Sequence, residues 1–282
     1  MKEEYGVSID VFLKVIYDAF SHRWKDKTPA NKYVSSLKQT YDWCCRNWDL
    51  VATSVDSLKS TDLEAIVKEQ CLQYLPNNVV FPDLTVYFVF NGCDGRGFKS
   101  EIYMDITLCA ILGKEKCVSL LAHEYHHSCR ANFALRCSNP KWKNAFETLS
   151  CLESEGVADK IYNLGGVLPD NDYPPLRQLI KKRKEIYENA PKHLAEVEKG
   201  ILTDVAPRKT FSEGSNHPLG NYMADLIERR FGRTLLVDCV GDPLKFLKTY
   251  NEAAKQEKRD EAGIFVFSKV VIYKLGQIME DL

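Results

Sequence analysis

The sequence has no surplus of either charge: 38 Lys and Arg face 39 Asp and Glu, a formal net charge of −1. With no field to draw the chain toward phosphate backbones or anionic lipid, and no local basic patch to replace one, neither nucleic acid nor a membrane is expected as a partner. No stretch reaches the roughly 18 apolar residues that a membrane-spanning helix requires. The segment from Met1 to Phe20 breaks its apolar pattern with Lys, Glu and Asp and has no small-residue cleavage site. It reads as a helix of the fold, not a secretory signal, and a soluble, cytoplasmic protein is the expectation. The ten cysteines include no CxxC pair and no spacing of a disulfide framework, which fits buried thiols in a reducing compartment. Internal repeats and low-complexity tracts are also missing.

What is present is an ordinary apolar fraction over 282 residues, enough to bury one large core or two small ones. Helical patterns are read over Ile9 to Phe20, Tyr33 to Trp48 and Leu63 to Tyr74, the last opened by Thr61 and Asp62. Pro76, Asn77 and Asn78 break the pattern. Val79 to Phe90 then reads as strand, turn, strand around Pro82. Asn91 to Gly97 reads as a flexible turn, and Glu101 to Ile106 alternates like a half-buried strand at a sheet edge. Helices return over Glu115 to Phe133, Trp142 to Leu164, Leu176 to Lys199, Leu219 to Phe231, Pro243 to Gln256 and Phe265 to Met279. The expected class is α+β and mainly helical. Residues 1–76 form an N-terminal helical region, which packs on or belongs to the body at 77–282.

Three of the six histidines fall in one five-residue stretch, His123, Glu124, Tyr125, His126 and His127, the pattern HExxH. On a helix, residues four apart stand one above the other with Cβ atoms about 5–6 Å apart, so His123 and His127 can both bring a ring nitrogen to one ion at about 2.1 Å. Glu124 then lies beside the metal but outside its ligand shell, where a carboxylate can take a proton from metal-activated water. His126 reads as a supporting or exposed residue.

A catalytic zinc needs a third protein ligand. On the next helix Cys151, Leu152, Glu155, Ala158, Asp159 and Tyr162 share a largely apolar face, and two carboxylates seldom sit on such a face without a partner. Glu155 is read as the ligand and Asp159 as the acceptor of an imidazole N–H, most simply that of His123. Gly156 would let this helix approach the HExxH helix closely. Glu153 is the competing ligand.

These residues resemble the gluzincin branch of HExxH metallopeptidases, in which a glutamate on a following helix completes the site in an ExxxD arrangement, here Glu155 to Asp159. More narrowly, HEYHHSCR followed by SEGVADKI is similar to small bacterial families of zinc-dependent proteases. The match is specific over Leu120 to Ile161. The resemblance implies a zincin-like fold: a small twisted sheet whose edge strand borders the cleft, an active-site helix and a glutamate helix. It also implies a Zn2+ cofactor and a peptide or protein substrate added to the sheet edge as an extra strand. Glu124 would be the general base, and a His or Tyr from further along would steady the oxyanion, here His217 or Tyr222. Two rival functions stay open: a catalytically silent metal-binding module, and a zinc hydrolase of a non-peptide amide or ester.

Overall fold

The computed structural model describes residues 30–89, 95–98, 101–162, 173–211, 214–257 and 263–280. The helix expected over Ile9 to Phe20 lies outside them. The architecture is mainly helical with a small sheet. Among the described residues it opens with α1 (Ala30–Arg46), α2 (Trp48–Lys59) and α3 (Leu63–Leu72). At the junction of the first two, the Asn47 side chain turns back to donate to the Trp43 carbonyl. The pattern over Tyr33 to Trp48 does not extend into α2, whose buried positions are only Val51 and Leu58.

Among the described residues the sheet has three strands in the order β1 (Thr85–Val89), β3 (Glu101–Asp105), β2 (Gly95–Phe98). β1 runs parallel to β3 and β2 antiparallel to it, with Gly95 opposite Met104 and Gly97 opposite Ile102. The sheet differs from the sequence pattern at three places. Glu101 to Ile106 is not an edge, because β3 is bonded on both sides. Gly95 to Gly97 is not a turn but part of the true edge strand, which its glycines hid. The first half of Val79 to Phe90 is not strand, and Pro82, which has no N–H to give a ladder, lies in it.

Asp105 ends β3 and accepts the Leu108 amide at 2.9 Å, capping α4 (Ile106–Leu112), a buried helix too uniformly apolar to show a period. Gly113, at φ 75°, then turns the chain directly into α5 (Lys114–Arg130), the HExxH helix. α3 packs behind α5, with the Cys71 thiol bonded to the Ala122 carbonyl. α6 (Lys143–Ala158) carries Glu155. It is crossed by α10 (Asn216–Phe231), and around this pair stand α7 (Pro174–Glu188), α8 (Ala190–Leu202), the short α9 (Pro207–Thr210) and α11 (Arg233–Val237), and α12 (Pro243–Glu257). α13 (Lys269–Glu280) ends the fold. The single helix expected over Leu176 to Lys199 is two: Asn189, whose side chain donates to the Glu185 carbonyl, and Pro191 behind it divide α7 from α8. Among the described residues every cysteine is a free thiol, and no helix is long and apolar enough to cross a membrane.

Candidate metal centre

His123 and His127 stand one helical turn apart on α5 with their rings nearly perpendicular and their Nε2 atoms 3.1 Å apart. From α6, Glu155 Oε2 approaches to 3.5 Å from His123 Nε2 and 3.3 Å from His127 Nε2. Ligand atoms at about 2.1 Å from one tetrahedral ion are about 3.4 Å from each other, so these three atoms have the spacing of one face of such a site.

The remaining ring nitrogens have acceptors of their own. His123 Nδ1 lies 3.2 Å from the Tyr162 carbonyl and 3.3 Å from Asp159 Oδ1, and His127 Nδ1 lies 2.9 Å from Ser154 Oγ. With the Nδ1 protons given to these acceptors, two Nε2 lone pairs and a carboxylate oxygen face a common point, an arrangement that repels itself unless a cation stands there. Glu155 Oε2 is buried and has no hydrogen-bond partner, although three imidazoles surround it. The donor set fits zinc in both chemistry and spacing.

The electrostatics agree. Burial opposes charge on His123, yet Glu155, Asp159 and Glu124 push its imidazole up to about 9. Burial alone would raise the Glu155 carboxyl, but His217, His127 and His123 hold it well below the usual carboxylate range. The cluster attracts positive charge, and a divalent ion can take the place of protons there.

His217, at the start of α10, reaches the cluster: its Nδ1 is 3.1 Å from Glu155 Oε2 and 3.4 Å from Asp159 Oδ1. Tyr222, five residues on and about 140° around the helix, packs edge-on against Tyr187. Glu153 is committed to other partners. Fully buried, it accepts Arg130 through Oε2 and the Gly241 amide at 2.9 Å through Oε1. His126 is buried, not exposed. Its Nε2 donates to the Tyr74 carbonyl at 3.0 Å, and burial, with His127 beside it, pushes its imidazole down to about 3, so it stays neutral.

Gly156 does permit a close approach, but by a different helix from the one expected. A β-carbon there would stand 2.4 Å from the carbonyl oxygen of Gly220 on α10, not against α5. This crossing carries His217 to Glu155.

Glu124 lies under the edge strand. A β-carbon on Gly95 would meet its Oε1 at 3.2 Å, and Gly97 faces the same carboxyl at 3.9 Å. The sequence alone assigns no role to Ser154 or Gly220 and presents Gly95 and Gly97 as part of a turn. The alternation of glycines at 95 and 97 was the available signal: two bare positions on one face of a strand mark something packed close beneath it.

A family model described as "Putative zinc dependent peptidase (DUF5700)" matches residues 39–259, from the middle of α1 past the end of α12. No curated protein and no solved structure matches the chain.

Proposed function

The chain belongs to the family so described, and on that premise we propose that it is a gluzincin-type peptidase of zincin-like fold, with zinc held by His123, His127 and Glu155. The observation that carries this reading is the triangle of two Nε2 atoms and Glu155 Oε2, with edges of 3.1, 3.3 and 3.5 Å. Asp159 and Ser154 orient the two imidazoles from behind, which fixes the tautomer that ligates.

When bound, zinc supplies Lewis acidity toward a scissile carbonyl and a water molecule. Glu124 takes the proton of the attacking water as its oxygen bonds to the carbonyl carbon. The same carboxyl then delivers that proton to the departing nitrogen as the C–N bond breaks. His217, its Nδ1 held between Glu155 and Asp159, turns its opposite ring nitrogen to the developing oxyanion. Its place at the cluster favours it over Tyr222. A peptide laid along β2, whose outer edge pairs with no described strand, would pass over Glu124.

The test is metal analysis of the purified protein with turnover of a peptide library by wild type and Glu124→Gln. We expect about one zinc per chain in both proteins and a fall in turnover of about a hundredfold or more in the variant. Equal turnover in the two would remove Glu124 from the chemistry. Bound zinc with no turnover of any peptide would favour the silent module.

A further inference from the structure

Beside Glu155 a cavity of about 590 Å³ is lined by residues from the end of α5, from α6 and from α9. That volume is in the range of ligand pockets, roughly 300–1,000 Å³. Glu155 and Ser154 are among its lining residues, so it borders the proposed metal site. Its other polar groups are Arg130, Ser150, Glu147 and Arg208.

Arg130 is almost wholly buried, and its hydrogen bonds run through Nε and Nη2 to Glu153 and through Nη2 to Ser150. Its Nη1 amine donates to no described residue and is not among the sealed-off polar atoms. Glu153 offsets the charge of Arg130 from behind and locks the guanidinium in place, so the cavity receives a fixed pair of N–H donors without a mobile side chain to order. Arg208, on α9, adds an exposed guanidinium at the mouth. Glu147, on the rim, is half exposed and has Lys143 Nζ 3.9 Å away. Rigid donors at the wall and a cation at the entrance suit an anionic, planar acceptor.

We infer that this cavity takes a carboxylate of the substrate next to the scissile bond, bonded by Arg130 Nη1 and attracted by Arg208. The inference rests on the peptidase reading above. The carboxylate comes either from an acidic side chain or from a free C-terminus, and both present the same group.

Zinc-loaded wild type is assayed on matched peptides carrying Glu or Gln beside the cleaved bond, each as the free acid and as the C-terminal amide. We expect kcat/KM to favour one carboxylate over its neutral partner by about tenfold, mainly through KM, and the pair that differs identifies the source. Arg208→Ala should lower kcat/KM for the favoured peptide about tenfold more than for its neutral partner, and Arg208→Glu should turn the preference toward Lys. Calorimetric titration of Glu124→Gln protein with the same peptides gives a second measure that does not depend on turnover. Robust hydrolysis of neutral and acidic peptides alike, or a preference that survives Arg208→Glu, overturns the carboxylate pocket and leaves the peptidase reading standing. No hydrolysis of any peptide removes the peptidase reading, and the pocket assignment with it.

Discussion

Gly156 and Gly220 lie backbone to backbone where α6 crosses α10: a β-carbon on Gly220 would stand 2.3 Å from the Leu152 carbonyl oxygen and 2.8 Å from the Gly156 amide nitrogen. Neither neighbour is a flexible side chain that can swing aside. Gly156→Ala or Gly220→Ala must push the helices apart, and each should cost about 1–3 kcal/mol of stability by overpacking. Because Glu155 precedes Gly156 and His217 stands three residues before Gly220, the same changes should weaken metal binding. An unaltered denaturation midpoint would show that the crossing is not close.

Glu153 and Glu155 set a structural acid beside the proposed ligand. Glu155→Gln should lose the metal and keep the fold. Glu153→Gln should keep the metal but lose about 3–5 kcal/mol, because Arg130 is left buried beside a neutral partner. Metal analysis and urea titration of both proteins read the two effects, and the opposite pattern would exchange their roles.

Ser154→Ala removes the hydroxyl 2.9 Å from His127 Nδ1 and leaves the ligand set whole. We expect zinc affinity to fall about 10- to 100-fold, measured by chelator competition, with the fold intact. Affinity equal to wild type would mean that water replaces the hydroxyl without loss.

The buried thiols should be inert in the native protein. Burial pushes Cys44 and Cys129 up to about 12 and Cys239 up to about 11. Since the thiolate is the nucleophile, its fraction at pH 8 for a pKa near 12 is about one in ten thousand. Alkylation followed by mass spectrometry should find these three unmodified at pH 8 and labelled once urea unfolds the chain. Rapid native labelling would contradict their burial.

The sequence shows some of this site openly and hides the rest for physical reasons. The four-residue spacing that places His123 over His127 is a property of the helix itself, and two acids on an apolar face announce that something must neutralise them. Ser154 gives no such sign, since a serine in a helix is compatible with any surroundings. Glu153 and Glu155 are alike as letters; only the position of Arg130, which the sequence does not relate to α6, tells them apart. The partner of Gly156 depends on which helices cross, a fact of tertiary packing that no local pattern encodes. The edge strand stayed hidden because Gly95 and Gly97, bare so that Glu124 can lie against them, make it look like a turn.

Glu153 joins three parts of the chain, accepting Arg130 at the end of α5 and the amide of Gly241, whose own carbonyl receives the Leu135 amide. None of these bonds passes through His123, His127 or Glu155. The scaffold therefore has a fastening of its own that none of the three proposed ligands shares, and the proposed seat should persist whether or not an ion occupies it. Loading and stripping should resemble a key entering and leaving a lock: the occupant changes while the helices stay where they are.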